Sequence, residues 1–256
     1  MIKVSIIIPA YNEEKRIRNT LVEYCKFFCK LKEEKILDFE IVVVMNNCKD
    51  GTCEVVKEVQ REFREIIFLD FKRGGKGFAV IEGFKDALKR ENDLIGFVDA
   101  DMATRPEEFS ELVKKCKNCD GVIASRGLKK SVIKTSFTRK WTNRGFNFWV
   151  RSILFLPYHD TQCGAKIFNR KAIESVVEGL GITQWAFDID LLCRLKSRKF
   201  KVIEIPTIWE DKKESKLDVI RVTIQMFASI IRLRFIYSPF SFLVRLYDKL
   251  PKKSSN

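Results

Sequence analysis

The apolar run Leu94-Ile95-Gly96-Phe97-Val98 ends on Asp99-Ala100-Asp101, two carboxylates one residue apart. A short buried strand that stops there delivers negative charge to the carboxyl edge of a sheet, where open α/β sheets bind their ligands. Two hard oxygen ligands, with room for water and phosphate, suit Mg²⁺ or Mn²⁺ better than zinc. Taken alone, such a pair is an ordinary acidic turn, and three other loops raise it above that. Pro9-Ala10-Tyr11-Asn12-Glu13-Glu14 has an aromatic and an acid that can stack on and hydrogen-bond a nucleoside; read locally it is a helix start capped by Asn12. Asn46-Asn47-Cys48-Lys49-Asp50-Gly51-Thr52 is a turn that ends at a helix. Arg73-Gly74-Gly75-Lys76-Gly77 opens a helix with backbone amides and a lysine, a combination that favours phosphate. It matches neither a Walker A loop nor a dinucleotide fingerprint.

The elements that must position these loops are legible as alternating patterns. Strands are expected at 3–8, 40–44, 66–70, 94–98 and 121–124, and helices at about 13–31, 52–63 and 76–89. That alternation implies an α/β chain with a mostly parallel central sheet flanked by helices. Further on, a strand at 165–169, a helix at about 188–198 and a strand at 201–206 precede long basic helices. The expected organisation is a main domain over 1–217, amphipathic interface helices over 218–250 and a polar tail at 251–256.

Charge is distributed unevenly. The chain carries 48 Lys and Arg against 34 Asp and Glu, net +14, which calls for an anionic partner. No acid lies between Asp120 and Asp160, while Arg126, Lys129, Lys130, Lys134, Arg139, Lys140, Arg144 and Arg151 do. The segment 145–157 and the stretch 219–247 mix aromatics, aliphatics and arginines, the composition of helices lying in a membrane interface. No apolar run reaches the roughly 18 residues a spanning helix needs, and the first residues enter a strand rather than a signal peptide. A peripheral or monotopic place on the cytoplasmic face of a membrane is therefore expected. A nucleic-acid-binding module is the reading from another class, but the basic residues flank apolar helices and no nucleic-acid motif is present. Eight cysteines scattered through apolar elements read as reduced thiols, and a lone Cys116-x-x-Cys119 is a weak zinc signal.

Several blocks in order resemble a family of known enzymes. SIIIPAYNEEKRI at 5–17, KDGT at 49–52, GGKGFAV at 74–80 and DADM at 99–102 resemble family 2 glycosyltransferases of the GT-A fold. DTQCGAKIF at 160–168, WAFDIDLL at 185–192 and Trp209 with Ser215-Lys216-Leu217 are similar to the dolichyl-phosphate β-glucosyltransferases, relatives of the dolichol-phosphate mannose synthases. The resemblance implies inverting transfer of a hexose from a UDP-sugar to polyprenyl (dolichyl) phosphate. It implies metal at Asp101 and Asp99, a donor site with Pro9, Tyr11, Glu13, Asn46, Lys76 and Asp99, and a role for Asp188 as base or acceptor-orienting group.

The acceptor is a phosphate monoester whose second pKa is about 6, so it is already ionised near neutrality and needs cations rather than a strong base. Arg126, Arg139, Arg144, Ser215 and Lys216 are the candidates to hold it. Asp160 is expected to orient arginines, Asp190 to matter less than Asp188, and His159, the sole histidine, to be structural. Two departures from the family pattern stand out. Met45-Asn46-Asn47-Cys48 replaces an Asp pair that relatives carry near the base, and Glu214 replaces a Gly before Ser215. Ala103 favours glucosyl over GDP-mannose-dependent mannosyl transfer. A relative that binds the sugar nucleotide without turnover is a further possibility.

Overall fold

A computed structural model describes residues 1–181, 186–210 and 219–238, with backbone alone for 137–139 and 219–225. Ser215, Lys216, Trp185 and the tail lie outside the described residues, as does the side chain of Arg139. The elements run β1 (Ile2–Ala10), α1 (Ile17–Glu33), β2 (Leu37–Asn46), α2 (Thr52–Glu62), β3 (Ile66–Phe71), α3 (Lys76–Ala87), β4 (Leu94–Val98) and α4 (Pro106–Lys115). They continue with β5 (Gly121–Ser125), β6 (Val132–Lys134), α5 (Phe137–Leu154), β7 (Ala165–Asn169) and α6 (Arg170–Val176). The last are α7 (Phe187–Ser197), β8 (Val202–Pro206), β9 (Ile208–Glu210) and α8 (Val219–Ile236).

Seven strands form one sheet in the order β3-β2-β1-β4-β7-β5-β8, mostly parallel, as the alternation implied. The exception is β7, which runs antiparallel to both β4 and β5. In a parallel sheet the loops after strands gather at the carboxyl edge; for a reversed strand it is the loop before it that arrives there. The 160–164 loop is thereby delivered beside the acidic pair, and Asp99 N donates to Gly164 O at 3.1 Å.

Alternation along β1 sends Ile6 and Ile8 to one core and Ile7 to the other. The first core is closed by Leu21 and Tyr24 of α1, Val56 of α2 and Phe109 of α4. The second is closed by Phe84 of α3, Val150 of α5, Leu191 of α7 and Ile230 and Leu233 of α8. The last helix thus rests on the core through one stripe. No described helix is long and apolar enough to cross a membrane.

One local expectation needs correction, and α4, β6 and β9 had none. α1 begins at Ile17 rather than near Glu13, and Asn12 is not its cap. Asn12 instead takes a left-handed backbone (φ 54°) and its Oδ1 accepts Lys49 N from the next loop. α4 went unread although Pro106 at its start, Glu107 and Glu108 in its first turn and Lys114 and Lys115 in its last are ordinary helix signals. The three-residue parallel pair β6 and β9 is too short to leave a periodic signal.

Candidate active site

The first two loops are tied together by side chains. Thr52 Oγ1 accepts Glu13 N at 2.8 Å, Glu14 Oε2 accepts Gly51 N at 2.8 Å, and Asp50 accepts Glu14 N at 3.2 Å. These bonds hold Asp50 below the usual carboxylate range: burial works against its charge, and the Thr52 hydroxyl and the Glu14 and Thr52 amides outweigh it. Pro9 is buried at the end of β1, and Tyr11 is exposed beyond it. Because Ile7 pairs with Phe97, Pro9 stands level with Asp99 on the neighbouring strand. The Glu13 carboxylate is engaged by Arg16, with Nη2 at 2.8 Å from Oε1. Asn46 is buried; its Nδ2 donates to Ala10 O at 2.8 Å and its Oδ1 accepts Gly75 N at 3.0 Å. In this structure Asn46 pins the glycine turn to the first loop.

The acidic pair sits on a tightly held turn. Ala103 N donates to Asp101 Oδ1 at 3.0 Å, with Met102 between them in a left-handed conformation (φ 59°). Thr20 Oγ1 donates to Ala100 O at 2.6 Å, and Tyr24 Oη to Thr104 O at 2.9 Å, so α1 fixes the turn from below. Burial and the neighbouring Asp99 charge push the Asp101 carboxyl up from its ordinary value. Lys76 Nζ lies 2.5 Å from Asp99 Oδ1. Burial opposes the Lys76 charge, but Asp99 and Asp188 outweigh it and raise its pKa.

Asp99 and Asp101 fit a divalent ion that takes its remaining ligands from phosphate and water. Asp101 carries a repelled, half-buried charge that a cation would stabilise. No group of three or more His, Cys, Asp or Glu able to hold a metal occurs among the described residues, so a closed all-protein cage is absent there.

Beneath this surface Asp188 is paired with Lys166, a residue to which the sequence assigned no role. Lys166 of β7 is fully buried, and its Nζ donates to Asp188 Oδ1 at 2.6 Å and to Cys163 O at 2.6 Å. The Lys76 and Lys166 ammonium groups lie 5.9 Å and 5.3 Å from the centroid of the Phe97 ring. A lysine inside the apolar run AKIFN was the visible signal. Gly164 was also missed as a functional position: a Cβ there would lie 1.9 Å from Asp99 Oδ2. Asp190 serves the fold, accepting Tyr237 Oη at 2.6 Å and Arg194 Nε at 3.2 Å and so fastening the end of α8.

The cationic residues form a second centre. Arg126 is clamped by Asp160, with Nε to Oδ2 at 2.6 Å and Nη2 to Oδ1 at 3.0 Å, and its guanidinium lies 5.1 Å from the Trp209 ring centroid. Asp160 therefore orients an arginine. Burial opposes its charge, yet Arg126 holds the carboxyl below the usual range. Asn147 of α5 accepts Thr161 N and Oγ1 at 2.9 and 3.0 Å, seating the helix on the same loop. Arg126, Lys140, Arg144, His159 and Asp160 line one pocket. One loop thus connects both centres: Asp160 holds Arg126, and four residues later Gly164 abuts Asp99.

Comparison with known proteins places the chain in a family. Residues 5–177 match the model of glycosyl transferase family 2. A dolichyl-phosphate beta-glucosyltransferase of Trichomonas vaginalis is 34% identical over 225 residues, covering 84% of this chain and 66% of its own length. One of Dictyostelium discoideum is 33% identical over 248 residues, covering 92% of this chain and 75% of its own. Glucosyl-3-phosphoglycerate synthase of Mycobacterium tuberculosis, solved with Mn²⁺, UDP and phosphoglyceric acid, superposes with a TM-score of 0.65 at 16% identity. It covers 92% of this chain and 78% of that one, a likeness of fold.

Proposed function

We propose that this chain, which belongs to glycosyl transferase family 2, moves a hexose from a UDP-sugar to the phosphate of a polyprenol at a membrane surface. Glucose is the expected sugar and a dolichyl-type lipid the expected acceptor, in keeping with the two curated relatives. The observation that carries the reading is the pairing of an acidic centre with a cationic pocket through the single 160–164 loop.

At the acidic centre Asp99 and Asp101 would hold Mg²⁺ or Mn²⁺, which when bound offsets the charge of the departing diphosphate. Lys76, at the first turn of α3, adds a cation where helix amides already favour phosphate. Tyr11, 54% exposed, offers a ring for the base. At the cationic pocket Lys140, Arg144 and Arg126 hold the acceptor phosphate and aim one of its oxygens at the anomeric carbon, so that attack opposite the leaving group inverts that centre. The phosphate is itself the nucleophile and gives up no proton, which leaves Asp188 an orienting part, held rigid by Lys166.

Trp141, Phe148 and Trp149 of α5 and Phe227, Ile231 and Phe235 of α8 are large and exposed. Arg234 of α8 lies 5.0 Å from the ring of Phe155, the residue that follows α5. This aromatic and basic face suits the headgroup region of a bilayer and would bring the lipid phosphate to the pocket beside it.

The deciding experiment offers UDP- and GDP-sugars in turn with dolichyl phosphate and identifies the labelled lipid. A glucosyl lipid from UDP-glucose is expected. A mannosyl lipid from GDP-mannose would replace the donor assignment, and no lipid product would overturn the proposal.

A further inference from the structure

Resting on the acceptor reading above, we infer that His159, oriented by Glu204, is a cationic binding group for the phosphate monoester of the acceptor. The pocket it lines already holds an unusual arrangement of charge. Lys140 and Arg144 stand four residues apart on α5, a spacing at which like charges repel and weaken a helix. Neither has an acidic partner among the described residues. A repulsive pair left unneutralised beside a polar pocket is what an incoming anion relieves.

His159 reaches this pocket from the loop before β7. Its Nδ1 lies 2.8 Å from Glu204 Oε2, and the same carboxylate accepts His159 N at 2.8 Å and Asp160 N at 3.0 Å. The Glu204 side chain is 9% exposed and that of His159 48%, so the carboxylate backs the ring and the ring faces out. A Cβ at Gly127 would lie 2.8 Å from His159 Cβ, so the turn after Arg126 presses directly on the histidine. With Nδ1–H donated to Glu204, Nε2 is the opposite ring nitrogen and has no partner among the described residues.

A neutral ring in that tautomer presents a lone pair at Nε2, which repels phosphate oxygen. The imidazolium presents an N–H there, which a phosphate oxygen accepts. The other charges facing His159 are Asp160 beside it, Arg126 from the turn after β5, and Lys140 and Arg144 from α5. A bound phosphate offsets the repulsion from those three cations. The form of His159 that donates to the acceptor phosphate is the imidazolium.

The test measures the KM for polyprenyl phosphate in wild type and variants at about pH 6 and pH 8, values that bracket imidazole titration. His159→Gln is expected to raise that KM about tenfold at the lower pH, the scale of one charge-assisted hydrogen bond, with kcat and the KM for UDP-sugar unchanged. The gap between wild type and His159→Gln should narrow at the higher pH. His159→Lys, a cation that does not titrate in this range, should bind acceptor more tightly than His159→Gln at both. Equal acceptor KM in wild type and His159→Gln at both pH values overturns the assignment. If Lys140→Ala and Arg144→Ala raise the acceptor KM while His159→Gln does not, only the histidine assignment falls; if none of the three moves it, the acceptor pocket falls as well. Should wild type transfer nothing to polyprenyl phosphate, binding of inorganic phosphate followed by phosphorus NMR decides the point. Weaker binding by His159→Gln at the lower pH then supports the inference, and equal binding overturns it.

Discussion

Gly164 and Asp99 are in such close contact that the absence of a side chain at one sets the position of the other. An added Cβ at Gly164 would lie 1.9 Å from Asp99 Oδ2 and 2.4 Å from its Cγ, while Gly164 O accepts the Asp99 amide at 3.1 Å. Gly164→Ala must displace the carboxylate. A shift of about 1 Å in a reacting group costs on the order of a hundredfold in rate. We expect that loss in kcat/KM, accompanied by a Tm decrease reflecting about 1–3 kcal/mol of overpacking. Unaltered kinetics would show that Asp99 is not held where the chemistry needs it.

Asp101→Asn keeps the shape of the turn, including the acceptor for Ala103 N, and removes one charge. Transfer should fall by roughly three orders of magnitude, the several kcal/mol that a metal contributes to charge stabilisation. Circular dichroism should be unchanged. Wild-type turnover in this variant would refute the metal assignment.

The Lys166–Asp188 pair is buried, with side chains 0% and 8% exposed. Lys166→Met strands a carboxylate in the interior and should cost about 3–5 kcal/mol. Adding Asp188→Asn to Lys166→Met removes the stranded charge, and the urea midpoint should recover in part. A double variant no more stable than Lys166→Met would mean that the lysine acts through packing alone.

Asp160 makes the stability of the fold depend on acid. Its folded pKa is depressed: burial opposes the charge, and Arg126 outweighs it. The stabilisation is therefore complete above the unfolded value of about 3.9 and is lost as pH falls through the folded one. Asp160→Asn should lower stability at neutral pH by about 3 kcal/mol and flatten the acid limb of the stability curve. Parallel acid limbs in the two proteins would disprove the linkage.

The exposed aromatics of α5 can be tested apart from catalysis. Phe148 and Trp149 are 64% and 56% exposed, so replacing both with Ser should leave the fold intact. Each ring buried in a bilayer interface contributes about 1.5–3 kcal/mol, so cosedimentation with anionic vesicles should weaken more than tenfold. Retained sedimentation would place the membrane contact elsewhere.

How much of this was legible beforehand varied with the range of the interactions. The strand at 94–98 matched to the residue, because five consecutive apolar positions before two acids are a local pattern. The meeting of Lys76 with Asp99 follows the same logic, since loops after parallel strands converge on one edge. Asn12 was misread because its side chain answers to Lys49, not to the helix that follows it. Asn46 presented a donor and an acceptor for a base, yet Ala10 and Gly75 take both.

The alternation of strands and helices, the acidic pair at 99–101, the acid-free basic stretch at 121–159 and the blocks that tie the chain to its family are readable in the sequence. These depend on periodicity and residue type over a few positions. Which groups meet is a matter of the fold: Lys166 with Asp188, Arg126 with Asp160 and His159 with Glu204 are 22, 34 and 45 residues apart. Those meetings follow from one strand, β7, entering the sheet in reverse and carrying its preceding loop to the acidic edge. No local pattern records the direction in which a strand is inserted, because the same alternation of side chains satisfies either pairing.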